Sequence, residues 1–503
     1  MSKTTRVLAV DFGASGGKCF AGVFGPDGFS MEEVHRFAHE GVTFHTPDAA
    51  GRLTERTYWD DTLLYQNIRA GLNAFRLKFG ASLDGIGIDT WGSDGALLAP
   101  DGEMLGKVYA YRDHRLDAMV AEVKARIDAT RLYTITGIHF QPFNISNQLL
   151  WLMTRRPDWV RPGCSFLPVP SLFYYYLGGV KVVDSSWASV TQLMDAKTRR
   201  WSDEVLKALG IPLDLLPPIV APGHVVGRLH LSLAESLGVT PAPLIAVGSH
   251  DTASAFAAAP VDHPEDALII SSGTWSLVGK LIPEPITNAA AMRHNFSNEG
   301  GIGNIRFLKN CMGTWLAQEL RRVWRDADGR ETPWKELDAM TLSAPAFGAL
   351  VDPDEPGFYN PANMEEAIVA FCRRTGQAAP ASRGACLRCV YESLALKYRL
   401  VHEQLAEITG RRAKAVHIVG GGSNNLMLNQ FTADACGLPV IAGPSEATAV
   451  GNVMVQAVGL GLLRSLVEAQ PIIRQAFSIR EYKPRDPAAW DAPYARFIGL
   501  VKG

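Results

Sequence analysis

The sequence has little of what would place the chain in a membrane, on nucleic acid or among disulfide-built proteins. It has no run of about 18 apolar residues, which excludes a transmembrane helix. The apolar stretch near the N-terminus reaches Asp11 almost at once, too soon for the core of a signal peptide. Cysteine is scarce, with seven in all, and only Cys386 and Cys389 form a CxxC, with no second pair at zinc-site spacing. Whether any of Cys372, Cys386 and Cys389 pair does not follow from spacing. A reducing cytoplasm is the expected compartment. An excess of one charge sign is also missing: 49 basic residues face 51 acidic ones, a net charge of −2. Neither nucleic acid nor a membrane surface is therefore an expected partner. What is present is 47% hydrophobic residues in a chain of 503. That is enough for a large core and too long for a single one, so two large domains are expected.

Short apolar runs alternate with helical patterns, which points to an α/β class. Val7–Lys18 (VLAVDFGASGGK), Leu244–Ala255 (LIAVGSHDTASA) and Leu268–Gly279 (LIISSGTWSLVG) resemble one another. Each is a buried-strand run that stops at a turn of Gly, Ser, Thr or Asp. This repetition suggests two related domains. The stretch Ile211–Gly223 holds four prolines and is expected to be neither helix nor central strand. The domain change is placed soon after it, giving domains 1–243 and 244–503. A Pro-, Asp- and Gly-dense loop, Val351–Asn363, is expected on the surface near a cleft. Tyr391, Leu394, Tyr398, Val401, Leu405 and Ile408 recur at helical spacing and Gly410 ends the pattern. A strand Val416–Val419 follows, then Gly420-Gly421-Gly422 and a helix bearing Leu428, Phe431 and Ala435.

The turns carry the candidate chemistry. Asp11 ends a strand and leads into Gly13-Ala14-Ser15-Gly16-Gly17-Lys18, where backbone N–H groups are open to a phosphate chain. Asp11 could hold Mg²⁺, directly or through water, and Lys18 could meet phosphate oxygens. The Walker A spacing is absent, and an ordinary tight turn is the alternative. Ser271-Ser272-Gly273-Thr274 repeats the theme with hydroxyls. Three glycines at 420–422 let a flat nucleobase lie against backbone, or simply turn a strand into a helix. Asp251, in GSHDT, could accept the proton of a sugar hydroxyl during phosphoryl transfer, or could cap the helix that follows. His250 beside it could touch substrate or pack against the turn. In IGIDTWGSDGALL and YRDHR, Trp91 offers a sugar an apolar face, and Asp89, Asp94 and Asp113 offer acceptors. A core tryptophan and solvated carboxylates are the bland alternative.

Taken in order, DFGASGGK, GIDTWG, YRDHR, GSHDTASA, SSGTWSL, LKNCMGTWLAQ and VHIVGGGSNNLMLNQFTADACGLPVIAGPSEATAVGN resemble the motifs of the FGGY carbohydrate kinases. The last stretch is closest to the members that act on L-rhamnulose. The resemblance implies two actin-like ATPase domains of the ribonuclease-H-like fold with a catalytic cleft between them, and the transfer of phosphate from ATP to L-rhamnulose. It implies Asp251 as proton acceptor, with His250 and Thr252 at the sugar and Gly92 and Asn310 as further sugar positions. Ala14, Ser15, Gly16, Gly17, Lys18, Thr274, Gln318 and Gly421 match ATP positions, and Asp11 matches a position associated with Mg²⁺. Ser93-Asp94-Gly95 departs from the usual Val-Asp-Phe toward the members acting on L-fuculose, and Gln141 and Ser171 also depart. Loss of a phenylalanine at 95 is expected to reshape the sugar pocket. The rival readings are an actin-like ATPase without sugar chemistry and a catalytically dead sugar sensor, neither of which needs a carboxylate at 251. Monomer and homodimer both stay open.

Overall fold

Strand β1 (Thr5–Gly13) is continuously apolar from Val7 to Val10, the pattern of a strand covered on both faces, and those residues are fully buried. The computed structural model describes residues 4–47 and 50–502. In it β1 is flanked by the antiparallel β2 (Gly16–Gly25), itself paired with β3 (Gly28–Ala38), and by the parallel β4 (Gly85–Thr90). With β5 (Val225–Arg228) and β6 (Pro243–Ile245) the order is β5-β6-β4-β1-β2-β3. Helix Asp61–Phe79 starts at Asp60, whose carboxylate accepts the Leu63 N–H at 2.9 Å, and it sets Gly71 against Cys19 of β2. Helix Ala447–Gly459 packs on β1 and β4. Glycines make room for it: a Cβ on Gly22 would lie 2.5 Å from Val453, and one on Gly87 2.5 Å from Asn452.

The chain forms two compact units whose division differs from the expected 243/244 boundary. The first unit runs through Ala258 and also takes Leu281–Phe307 and Ala447–Ala476; the second holds Ala259–Lys280, Leu308–Glu446 and the chain from Phe477. The first unit extends past 244 because the segment after β6 is woven into its sheet. Thr90 N–H donates to Ser249 O at 2.8 Å, and helix Asp251–Ala257 lies against helix Ala447–Gly459. The approach is so close that a Cβ on Gly451 would fall 1.8 Å from Ser254 O. Asp251 therefore belongs to the first unit.

In the second unit β7 (Ala267–Ser272) and β8 (Trp275–Ile282) form a hairpin. β9 (Ala415–Val419) runs parallel to β7, and β10 (Val440–Ala442) and β11 (Arg480–Tyr482) continue the order β8-β7-β9-β10-β11. The expected long helix is Arg383–Thr409, with Gly410 closing it at φ 69°. The seven cysteines are free thiols, and Cys386 and Cys389 are buried on that helix. The Ile211–Gly223 stretch holds only a 3-10 turn, Leu213–Leu215, and a two-residue strand, Ile219–Val220. The 351–363 loop is exposed at Pro356, Gly357 and Tyr359 and is anchored at other points: Val351 and Phe358 are buried, and the Lys397 ammonium reaches Asp352 at 2.9 Å and Asp354 at 2.7 Å. Among the described residues no helix is long and apolar enough to cross a membrane.

Candidate active site

Parallel pairing of β1 and β4 sets Asp11 beside Asp89. Asp89 is fully buried, and burial together with the neighbouring Asp11 carboxylate raises its carboxyl well above the usual range. Asn452 Nδ2 donates to Asp89 Oδ2 at 2.6 Å and pulls the other way, while Asp89 Oδ1 is buried without a hydrogen-bond partner. Gln456 Nε2 steadies Asn452 by donating to its Oδ1 at 2.8 Å. Two crowded carboxylates suit a divalent cation. Among the described residues there is no cluster of three or more metal-binding side chains. Such a partial shell fits Mg²⁺, which takes one or two carboxylates and completes its sphere with phosphate oxygens and water.

Asp251 is the first residue of helix Asp251–Ala257; the N-cap is His250, so the capping alternative is not realised. The carboxylate turns back on its neighbours: Oδ1 accepts from Thr252 N at 2.5 Å and Thr252 Oγ1 at 3.0 Å, and lies 3.3 Å from His250 Nε2. Its side chain remains 32% exposed, which leaves it accessible to a substrate. Gly92 backs the His250 ring so closely that a Cβ there would lie 2.6 Å from Nε2. Trp91 is buried between β1 and Trp59, with ring centroids 4.4 Å apart, and presents little free face. These residues all belong to the first unit. Asn310 belongs to the second, half-buried on strand Ile305–Met312, with its Oδ1 buried and unpartnered.

Two of the acceptors offered by sequence are engaged internally and are buried, not solvated. Asp94 accepts from Trp59 Nε1 at 2.7 Å, Tyr111 N at 3.0 Å, Trp91 Nε1 at 3.1 Å and Gln148 Nε2 at 3.0 Å. Asp113 accepts from Thr57 N at 2.7 Å and Arg115 N at 2.9 Å. Gly95 does not open a pocket either: a Cβ there would lie 2.4 Å from the Phe166 ring, which already fills that space.

Ala14 and Ser15 form the two-residue turn between β1 and β2, with Lys18 opposite Asp11. Gly17 has a packing reason of its own, since a Cβ would lie 2.4 Å from the Phe37 ring. In the second unit the β7–β8 turn holds Thr274. Thr314 joins it to Gln318: Thr314 Oγ1 donates to Gly273 O at 2.7 Å and accepts from Gln318 Nε2 at 3.1 Å. The Gly420–Gly422 turn follows β9 beside this hairpin, because Ser271 and Val419 are register partners. Gly420 has φ 82°, and a Cβ on Gly422 would fall 2.0 Å from Ser272 Oγ. Gly421 is different: it is exposed, and a Cβ there would meet nothing within 4 Å.

Glu299 and Arg306 lie behind His250 and were not singled out from sequence. Arg306 is fully buried, with Nη1 3.1 Å from Glu299 Oε2 and Nη2 3.2 Å from His250 Nδ1. Burial alone would raise the Glu299 carboxyl, but the result is a carboxyl lowered to about 2, with the Arg306 guanidinium the leading cause. A charge inside the apolar run Ile305-Arg306-Phe307-Leu308 was the available signal.

Sequence models of the FGGY family of carbohydrate kinases match the chain twice, the N-terminal domain over residues 7–257 and the C-terminal domain over 268–460. The chain belongs to this family. Among its relatives this FGGY kinase is 40% identical over 496 residues to a protein named rhamnulokinase from Bacteroides thetaiotaomicron, covering 98% of this chain and 99% of the relative. It is 37% identical over 501 residues to a rhamnulokinase from Pectobacterium carotovorum subsp. carotovorum, covering 98% and 96%. A solved xylulose kinase from Lactobacillus acidophilus shares the fold at TM-score 0.78 and 17% identity, with 99% of this chain and 98% of that one covered. Plasmodium falciparum glycerol kinase with ADP does so at TM-score 0.77 and 15% identity, with 99% and 98% covered.

Proposed function

We propose that this FGGY kinase transfers the γ-phosphoryl group of ATP to L-rhamnulose, giving L-rhamnulose 1-phosphate and ADP, as a cytoplasmic step of L-rhamnose breakdown. The observation that carries this reading is the near-full-length likeness to proteins named rhamnulokinase. The chemistry is consistent with the residues of the first unit. A sugar hydroxyl is a weak nucleophile near neutral pH. Asp251, partly exposed and tied down at Oδ1, accepts its proton as the O–P bond forms. His250, Thr252, Trp91 and Gly92 shape the sugar side, with Asn310 supplying an amide. Ala14, Ser15, Gly16, Gly17 and Lys18 serve phosphate groups, as do Thr274 and Gln318, and Gly420, Gly421 and Gly422 serve the base. Asp11, with Asp89 beside it, would hold Mg²⁺, which when bound neutralises phosphate charge.

The test is an ADP-release assay of the purified protein over L-rhamnulose, L-fuculose, D-xylulose and L-ribulose. Highest kcat/KM on L-rhamnulose is expected. L-fuculose is the alternative motivated by Ser93-Asp94-Gly95, and a preference for a ketose with a 6-hydroxyl overturns the assignment of the sugar.

A further inference from the structure

The Glu299–Arg306 pair has no role in the chemistry above, yet both side chains are almost completely inaccessible to solvent. Stability does not account for such a pair, since well-packed apolar residues commonly serve a core as well or better. Its contacts supply another reason. A guanidinium can only donate hydrogen bonds. Arg306 Nη2 is 3.2 Å from His250 Nδ1, so Nδ1 presents its lone pair there. The ring hydrogen is then on Nε2, which faces Asp251 Oδ1 at 3.3 Å. A lone pair on Nε2 would instead oppose a carboxylate oxygen. Glu299 Oε2, 3.4 Å from Nδ1, pulls the proton the other way, but it already faces Arg306 Nη1 at 3.1 Å, and the shorter contact of Nδ1 with the donor Arg306 Nη2 selects the Nε2–H form. Glu299 Oε2 balances the guanidinium charge from 3.1 Å, and Arg306 Nε is oriented by donating to Gly300 O at 2.8 Å. On the other side, Gly92 makes room for the ring, since a Cβ there would lie 2.6 Å from Nε2.

We propose that Glu299 and Arg306 are positioning residues: through His250 in its Nε2–H tautomer they fix Asp251 Oδ1 and leave Oδ2 for the sugar hydroxyl. The inference rests on the reading of Asp251 as proton acceptor. The hydrogen bonds to Asp251 among the described residues converge on Oδ1, coming from Thr252, with His250 approaching the same atom. An oxygen held in this way can neither rotate away nor compete for the substrate proton.

The tautomer is read directly by long-range ¹H–¹⁵N correlation on histidine-labelled full-length protein, with the His250 signals assigned by their loss in His250→Asn. A protonated Nε2 with a bare Nδ1 is expected; a protonated Nδ1 overturns the proposal. Kinetics supply the second arm. Glu299→Gln and Arg306→Met should lower kcat by about 10- to 100-fold, the scale seen when the partners that orient a site ligand are removed. KM for ATP should stay within about threefold, with partial recovery in Arg306→Lys. Folded variants that keep kcat within about twofold also overturn the proposal. If the substitutions prevent folding, the wild-type tautomer alone decides. Asp251→Asn in the same assay separates the two ideas. An inactive Asp251→Asn beside fully active Glu299 and Arg306 variants removes the positioning role only. An active Asp251→Asn removes the proton-acceptor reading itself.

Discussion

The β1–β2 hairpin of the first unit and the β7–β8 hairpin of the second share one plan with opposite chemistry. Each is an antiparallel pair closed by a short turn, Ala14-Ser15 between Gly13 and Gly16 in one and Gly273-Thr274-Trp275 between Ser272 and Ser276 in the other, and each has a parallel strand beside it. In the first, the register places Asp11 against Asp89. In the second, Ser271 lies against Val419 and a three-glycine turn follows. The first strand edge therefore carries two adjacent carboxylates, with the Asp251 carboxylate in the same unit, while the second carries hydroxyls and glycine backbone. A shared scaffold supplies strand ends; the residues placed there decide the reaction.

The comparison breaks most decisively at Asp251. Asp251→Asn should lower kcat by about 10²- to 10⁴-fold while KM for ATP changes little, since an amide of the same shape cannot take a proton. Turnover within about threefold of wild type would remove the chemical asymmetry between the units. The second unit has its own paired test. Gly421→Val should fold normally, because its Cβ meets nothing, and should raise KM for ATP by about tenfold or more while sparing that for sugar. Gly422→Val should instead lower stability by about 1–3 kcal/mol by forcing a side chain onto Ser272, measured by denaturant unfolding. Equal effects of Gly421→Val on both KM values would argue against a nucleotide role for that turn.

Sugar choice should give a smaller effect. L-rhamnulose and L-fuculose differ in hydroxyl configuration, and a misdirected hydroxyl leaves a buried group unpaired at about 1–3 kcal/mol. That predicts roughly a 5- to 150-fold difference in kcat/KM. The structure gives Gly95 no part in it, because Phe166 occupies the space, so Gly95→Phe should destabilise the first unit rather than change selectivity.

The smallest effect concerns pH. In the second unit, burial and then the nearby Arg412 and Lys280 lower the His402 imidazole to about 4, and its Nε2 accepts the Ala413 N–H at 3.1 Å. The unfolded chain protonates this histidine first, near its ordinary 6.5, so stability falls as pH drops from about 6.5 to about 4 and is level below. The slope is at most about 1.4 kcal/mol per pH unit. His402→Gln should flatten this dependence in amides of the second unit, read by hydrogen exchange. The first unit, where burial likewise lowers His39 and His139, should keep its own. An unchanged slope in the second unit would contradict this account of His402.

Much of the fold was legible because the signals are local. The apolar run Val7–Val10, the spacing from Tyr391 to Leu405 and the stop at Gly410 each reflect packing within one element. The glycine turns at 13–17 and 420–422 could be found for the same reason. The roles of individual glycines were not legible, since Gly421 and Gly422 are neighbours of identical type. Only the position of Ser272 makes one of them an open surface and the other a packing constraint.

The order of motifs along the chain was thus enough to determine the class of catalyst and to propose Asp251 as its proton acceptor, because the resemblance rests on short contiguous motifs; the strand-then-carboxylate pattern alone fitted a helix cap equally well. Tertiary structure decided the rest. It assigned Asp251 and helix Ala447–Gly459 to the first unit, brought Asp89 beside Asp11, consumed Asp94 and Asp113 inside a buried network, and set Glu299 and Arg306 behind His250. These relations join residues tens to hundreds of positions apart, and hydrophobic patterning specifies which face of an element is buried without specifying its partner.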